Sequence, residues 1–456
     1  MFNVLEIIIS IVLLVATGYL IAKNYDAKFV LLAAGIVLMI AAALLGHPVL
    51  SPEDTTGLAL LDPFKQIGLI FVKQLGSVGL TIMVLFGFSS YMTHIGANDV
   101  AVHLMTKPLG RIKSQYILVP IIFLLGNLLS LVVPSASSLA VLLMATLYPV
   151  LKNTGMSSLT AGAVIATTAT IMPTPLGADN VVAAEKLGVS LVEYVFSYHA
   201  KISIPVLLIM AVAHYFWQKY MDKRQQGSIQ QDINDEKLKV KTDLPPSYYG
   251  LLPILPLILV LVFGLIITNI QLGLIEITFI CLALALIIEI IRKGSFKETS
   301  KQLSIFFTGM GTGLAQVVSL IVAASMLVEG LKAIGIIDML IESVKHVESA
   351  GIILMLIFSG VAGLIGFISG SGLAVFYSFI NIIPEITEKI GVSSIMVALP
   401  MQLTSNLIRS ISPVAAVIIV VASIIKVNPI QIVKRTSVPI LVGVVSCLIL
   451  SFIMFA

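Results

Sequence analysis

The stretch GFISGSGLAVFY, residues 366 to 377, decides how this chain folds. It places Ser369, Gly370, Ser371 and Gly372 inside a long apolar run. Glycine weakens a helix, and a broken helix leaves backbone N–H and C=O groups that need partners in hydrocarbon. The run therefore predicts a hairpin that enters a membrane and turns back, rather than a plain crossing.

The composition of the chain is that of a polytopic membrane protein. Of its 456 residues, 58% are hydrophobic and 11% are charged, which is far from the balance of a soluble globular domain. At roughly 20 residues per span, the length allows about ten to twelve crossings. The net charge of +4 comes from basic residues scattered among short loops, so no nucleic-acid partner is predicted. Zinc, phosphate-loop and hydrolase motifs are missing, so neither an enzyme nor a cofactor is predicted.

The apolar runs fall into two similar halves. We predict ten spans and two re-entrant hairpins, one hairpin and one broken helix in each half. The predicted units are a first repeat over 1–219 with hairpin 116–150 and broken helix 158–186, a linker over 220–247, and a second repeat over 248–456 with hairpin 352–384 and broken helix 394–424.

An internal repeat supports this division. Ser135-Ala-Ser-Ser-Leu-Ala-Val matches Ser369-Gly-Ser-Gly-Leu-Ala-Val, and KISIP at 201–205 matches RTSVP at 435–439. Five spans per half is an odd number, so the second copy would cross the membrane upside down. The predicted fold class is all-α, with inverted repeats of five transmembrane helices.

The distribution of positive charge predicts the orientation. Most of the 27 Lys and Arg residues fall in segments on the same side as the linker, among them Lys434 and Arg435. The opposite loop 47–64 contains Glu53, Asp54 and Asp62 but no Lys or Arg. Positive residues mark the cytoplasmic side. We therefore predict a cytoplasmic linker and both termini on the periplasmic side.

The hairpin tips and the helix breaks are predicted to meet around one central site. The breaks, TATIMPTPLGADN at 168–180 and QLTSNLIRSISP at 402–413, contain Asp179 and Arg409. An ionisable residue within a span marks function by default. Two alternatives are simpler: small residues often serve helix packing, and Asp179 and Arg409 could pair with each other.

Several stretches closely resemble the anaerobic C4-dicarboxylate carriers of the DcuC family, over nearly the whole chain. They include GFSSYMTHIGANDVAVHLMTKPL at 87–109, SSLAVLLMATLYPV at 137–150, AHYFWQKYMDK at 213–223, SNLIRSISPV at 405–414 and VKRTSVPILVG at 433–443. The resemblance implies a secondary transporter of succinate, fumarate and malate in the bacterial inner membrane. It also implies a homodimer within membrane lipid, with a scaffold domain and an elevator-type transport domain.

The resemblance and the break pattern together give a predicted site. Arg409 would bind a substrate carboxylate, and Thr174 and Asp179 would take part in coupling to Na⁺ or H⁺. The other predicted substrate-binding residues are Ser135, Ser137, Ser138, Ser369, Gly370, Ser371, Gly372, Thr404, Ser405, Asn406 and Ser412. Three other functions stay open: a carrier of basic amino acids, a sodium/proton antiporter and, in a different class, an anion channel.

Overall fold

The computed structural model describes residues 4–112, 114–133, 135–225, 244–267, 269–344, 347 and 349–455. The regular elements of these residues are all helical. The first half contains α1 Val4–Ala22, α2 Ala27–Leu44, α3 Asp62–Gln74, α4 Leu80–His94, α5 Ala97–Thr106, α6 Gln115–Leu129, α7 Ala136–Thr146, α8 Tyr148–Asn153, α9 Ser158–Ala166, α10 Ala178–Lys186, α11 Leu191–Glu193 and α12 Ala200–Gln225. The second half contains α13 Leu255–Leu261, α14 Leu274–Lys293, α15 Phe296–Gly313, α16 Ser319–Ala333, α17 Ile336–Val344, α18 Ala350–Ser369, α19 Gly372–Phe379, α20 Ile383–Ile390, α21 Ser394–Ile408, α22 Ala416–Ile424 and α23 Pro429–Phe455.

The helices confirm a polytopic membrane protein. Within the described residues, ten helical segments are long and apolar enough to cross a membrane. Nine coincide with predicted spans, and the tenth is α18, the first arm of the predicted second hairpin. The predicted span 158–186 does not qualify, because it is divided into the short helices α9 and α10.

The two halves present their elements in the same order. Each has a long helix with one π-helical turn at its middle, Leu75–Gly79 between α3 and α4 and Leu314–Val318 between α15 and α16. In each half a glycine with positive φ then begins a short helix, Gly96 before α5 and Gly335 before α17. This shared order agrees with an internal repeat. The inversion of one half relative to the other in the membrane stays a prediction.

Glycines allow the long helices of the two halves to approach closely. A Cβ on Gly35 of α2 would lie 2.5 Å from the backbone of Met326 on α16, and a Cβ on Gly309 of α15 would lie 2.8 Å from the Cα of Gly87 on α4. Small residues at such crossings bring backbones together in membrane helices. The α2/α16 and α4/α15 crossings therefore join the first half of the chain to the second.

The predicted linker is largely outside the described residues. Helix α12 continues to Gln225, beyond the predicted boundary at 220, and a 3₁₀ segment begins at Ser247. The intervening 226–243 are not among the described residues.

Candidate functional site

Both predicted helix breaks are present. Helix α9 ends at Ala166 and α10 begins at Ala178, with Pro173 and Pro175 between them. Helix α21 ends at Ile408, a single 3₁₀ turn covers Arg409–Ile411, and Pro413 precedes α22. Proline has no N–H to donate and clashes with the preceding turn, so neither helix can continue. We call residues 167–177 the first break and residues 409–415 the second break.

The second hairpin packs tightly on the second break. Its tip turns at Gly370, whose φ of +73° favours glycine. A Cβ there would lie 2.9 Å from the Cα of Ala415, and a Cβ on Gly372 would collide with the carbonyl of Ser405. The glycines at this tip therefore let its backbone contact the polar segment that contains Arg409.

The first hairpin is joined to the first break by Asn127 on α6. The amide of Asn127 donates to the carbonyl of Thr167 at 3.1 Å, and its oxygen accepts from the backbone N–H and the hydroxyl of Thr170 at 3.0 and 2.8 Å. Asn127 has no exposed surface. It therefore satisfies backbone groups that the end of α9 leaves open.

Amides hold Asp179 in place. Its Oδ2 accepts from Gln402 Nε2 at 2.9 Å and from Asn406 Nδ2 at 2.7 Å. Gln402 also donates to Asn180 Oδ1 at 2.7 Å and accepts from the hydroxyl of Tyr194. We call these five residues the amide clamp. It ties the first residues of α10 to α21, across the two halves of the chain.

Arg409 lies next to the first break. One terminal nitrogen of its guanidinium donates to the carbonyl of Ala169, and its Nε is buried without a hydrogen-bond partner in the described structure. Within the described part of the chain, Arg409 and Asp179 do not form an ion pair with each other, and each is hydrogen-bonded to other groups. The positive charge is thus left without a direct anionic partner.

Two hydroxyls near Arg409 in the sequence also lack hydrogen-bond partners. Thr404 Oγ1 and Ser412 Oγ are buried and have no hydrogen-bond partner among the described residues. A buried polar group without a partner costs about 1 to 3 kcal/mol. Arg409 Nε, Thr404 Oγ1 and Ser412 Oγ are thus three buried polar atoms on α21 and the second break whose hydrogen bonds are unmade.

Several other predicted site residues form hydrogen bonds with nearby backbone or are exposed to solvent. Ser369 Oγ donates to the carbonyl of Ile365 and Ser405 Oγ to that of Met401, so these hydroxyls bond back to their own helices. Ser371 is exposed. The hydroxyl of Thr174 accepts from the backbone N–H of Leu176.

The serines at the tip of the first hairpin form hydrogen bonds with one another. Ser135 and Ser138 are exposed, and the bonds of this tip run among its own residues. The hydroxyls of Ser135 and Ser137 share a hydrogen bond at 3.4 Å, and the backbone N–H of Ser138 donates to Ser135 Oγ at 3.4 Å. Among the described residues, no hydrogen bond joins these serines to the second break. The structure thus brings together the two breaks and the second tip.

Sequence reasoning missed three members of the amide clamp. Gln402 lies four residues before Asn406, hence on the same face of α21, and Asn180 directly follows Asp179. That spacing was a usable signal. Tyr194 lies 14 residues after Asn180 and outside both breaks, and no pattern in the sequence indicated its role. Among the described residues, no group of three or more His, Cys, Asp or Glu side chains could hold a metal ion.

Comparisons with known proteins agree with one another. The family model described as "C4-dicarboxylate anaerobic carrier" matches residues 5–456. The anaerobic C4-dicarboxylate transporter DcuC of Escherichia coli K12 is 39% identical over 457 residues, covering 100% of this chain and 98% of the relative. The probable anaerobic C4-dicarboxylate transporter DcuC of Vibrio cholerae is 39% identical over 448 residues, covering 98% and 97%.

A solved structure shows the same fold. Neisseria gonorrhoeae MtrF, described with a class of antimetabolite efflux pumps, superposes with a TM-score of 0.59 over 96% of this chain and 97% of its own, at 13% identity. The sequence relatives are named as transporters rather than enzymes, and the matching family is described as a carrier with no cofactor indicated. The family model and the full-length relatives show that this chain belongs to the DcuC family of anaerobic C4-dicarboxylate carriers.

Proposed function

We propose that this protein is a secondary active transporter that moves succinate, fumarate or malate by efflux or exchange. The observation that carries the proposal is Arg409, a cation in a helix break with a buried, unpartnered Nε. The names of the full-length relatives support C4-dicarboxylates as the substrate class.

A substrate carboxylate fits the unsatisfied groups. The guanidinium presents N–H groups in a planar fork that matches the two oxygens of a carboxylate. Thr404 and Ser412, five residues before and three residues after Arg409, have buried hydroxyls that are without partners among the described residues and are available to donate to an anion. The Asp179 carboxylate accepts two amide hydrogen bonds at Oδ2 and forms no ion pair with Arg409 among the described residues, so the guanidinium is left for a substrate carboxylate.

The packing suggests which parts would move. The second hairpin lies on the second break through Gly370 and Gly372, and Asn127 bonds the first hairpin to the first break. These contacts group hairpins and breaks into one body, which we propose to be an elevator-type transport domain. The remaining long helices would form the scaffold and hold a homodimer in membrane lipid. The coupling ion would be Na⁺ or H⁺, with Asp179 and Thr174 near its path.

Counterflow in proteoliposomes tests the proposal. Vesicles loaded with unlabelled succinate should accumulate labelled succinate, saturably, with fumarate and malate competing and arginine failing to compete. Vesicles loaded with arginine instead should accumulate none. Non-saturating uptake that is independent of internal solute would identify a channel. Exchange of arginine in place of succinate would identify a carrier of basic amino acids.

We further propose that the protein lies in the bacterial inner membrane with both termini periplasmic. Single cysteines at Ser51 and Thr56, both exposed in the loop between α2 and α3, should react with an impermeant thiol reagent from the periplasmic side. Cysteines at Ser228 and Gln231, outside the described residues, should react only from the cytoplasm. Reversed labelling would reverse the orientation.

A further inference from the structure

A cavity of about 270 Å³ with a mixed polar and apolar lining lies between the α1–α2 turn and the tip of the second hairpin. On one side it is lined by Asn24, Tyr25, Asp26 and Lys28, and on the other by Ser369 and Ser371. The hairpin tip therefore shares a solvent-open space with a turn that belongs to neither a hairpin nor a broken helix.

The turn places a lysine at the wall of this cavity. Asp26 caps α2, accepting from the backbone N–H groups of Lys28 and Phe29 at 2.8 and 3.2 Å. Lys28 Nζ donates to the carbonyl of Ala315, in the π-helical turn between α15 and α16, at 3.3 Å. Its side chain is still 41% exposed. The ammonium group thus donates to one carbonyl and pairs with the Asp26 carboxylate at 3.6 Å while remaining open to water.

The opposite wall is part of the hairpin tip that packs on the second break. Ser369 and Ser371 flank Gly370, which lies against Ala415 of the second break. A dianion in the cavity would meet the Lys28 ammonium on one side and the hairpin tip on the other. The Asp26 carboxylate lies 3.6 Å from Lys28 Nζ and opposes the attraction for an anion.

We propose that Lys28 forms a capture site for the dicarboxylate at the mouth of the transport pathway, on the membrane face where the α1–α2 turn lies. The proposal rests on the proposed transport function and adds a residue outside the hairpins and breaks. Because the charge is partly exposed and screened by salt, its effect is modest and falls as ionic strength rises. It acts on the half-saturation concentration of succinate from that face and leaves the maximal rate nearly unchanged.

Three variants test the capture site. Lys28→Gln removes the attracting charge, and Asp26→Asn removes the repelling charge while keeping a good helix cap. Lys23→Gln is the matched control, because Lys23 lies in the same turn but does not line the cavity and instead contacts the ring of Tyr19. Succinate uptake is measured in right-side-out and in inverted membrane vesicles, at low and at high salt.

The expected results have opposite signs. At low salt, Lys28→Gln should raise the half-saturation concentration about twofold to fivefold, only in the vesicles that expose the turn, and Asp26→Asn should lower it there. High salt should erase both effects, and Lys23→Gln should match the parent. Equal changes in both vesicle types, or equal effects of Lys28→Gln and Lys23→Gln, would overturn the capture site. A parent protein that moves no succinate would refute the transport proposal itself.

Discussion

Replacing Gln402 by Met should show whether the amide clamp holds the two halves of the site together. Methionine has a similar length and is apolar, so the change removes the amide with little change in packing. Three hydrogen bonds are lost at once: to Asp179 at 2.9 Å, to Asn180 at 2.7 Å, and from Tyr194.

The size of the effect follows from these bonds. A neutral hydrogen bond contributes about 1 kcal/mol and a bond to a charged group about 1.5 to 3 kcal/mol. The loss of all three should therefore lower the free energy of unfolding by about 3 to 5 kcal/mol. Ser378→Ala is a suitable control, because Ser378 is equally buried but bonds only to the carbonyl of Ala374 in its own helix. Its removal should cost about 1 kcal/mol or less.

Thermal unfolding in detergent and succinate counterflow would be measured for both variants. We expect Gln402→Met to unfold well below the parent and to transport poorly, and Ser378→Ala to resemble the parent in both respects. If Gln402→Met were as stable as Ser378→Ala, the clamp would not hold Asp179 in the way argued above.

Two further predictions concern stability and packing. Arg435 is buried and pairs with Asp222 at 2.7 Å, so Arg435→Met should lower the free energy of unfolding by about 3 to 5 kcal/mol. Adding Asp222→Leu should restore much of that free energy. Unfolding in urea or SDS would measure both changes. A double variant no more stable than Arg435→Met would contradict this. Gly372→Ala should displace the second hairpin from the Ser405 carbonyl and impair counterflow, whereas Gly360→Ala, with open space around it on α18, should be tolerated. Equal transport by the two alanine variants would refute the close-contact argument.

Local patterns in the sequence predicted most of the fold. Apolar length gave the spans, because each crossing needs a fixed number of residues. Pro173, Pro175 and Pro413 predicted the two breaks, since proline removes a backbone donor and disfavours a helix. Proline alone does not end a helix here, because α6 and α21 continue through Pro120 and Pro400. The glycines near residue 370 gave the tip of the second hairpin. These signals act over a few residues and need no knowledge of the rest of the chain.

Tertiary partners were harder to predict. Arg435 was used only as one of the basic residues that predict the cytoplasmic side, and the sequence did not indicate that it is buried in α23 against Asp222 of α12. The meeting of Tyr194 with Gln402 likewise depends on how α21 packs against the turn before α12. The sequence around a basic or aromatic residue near the end of an apolar run does not show whether that residue faces water, lipid or a partner helix. Only the packing separates these cases.

The identity of the substrate ligand is tested most directly by succinate counterflow with changes at Arg409. Lysine keeps the charge but loses the fork, so Arg409→Lys should reduce transport about tenfold to a hundredfold, the factor that matches a lost charge-assisted bond of about 1.5 to 3 kcal/mol. Arg409→Ala should nearly abolish transport, and both proteins should remain folded. Arg292→Lys serves as the control, because it is the same substitution at an arginine that pairs with Glu289 outside the proposed site. This variant should transport like the parent.

The decisive protein is the double variant Arg409→Ala with Asp179→Asn. If Arg409 binds the substrate carboxylate, the double variant should be as inactive as Arg409→Ala alone, because neutralising Asp179 does not replace the guanidinium. If the two residues serve only to balance each other's charge, removing both should restore counterflow. A double variant that transports succinate like the parent would contradict the proposal that Arg409 binds the substrate.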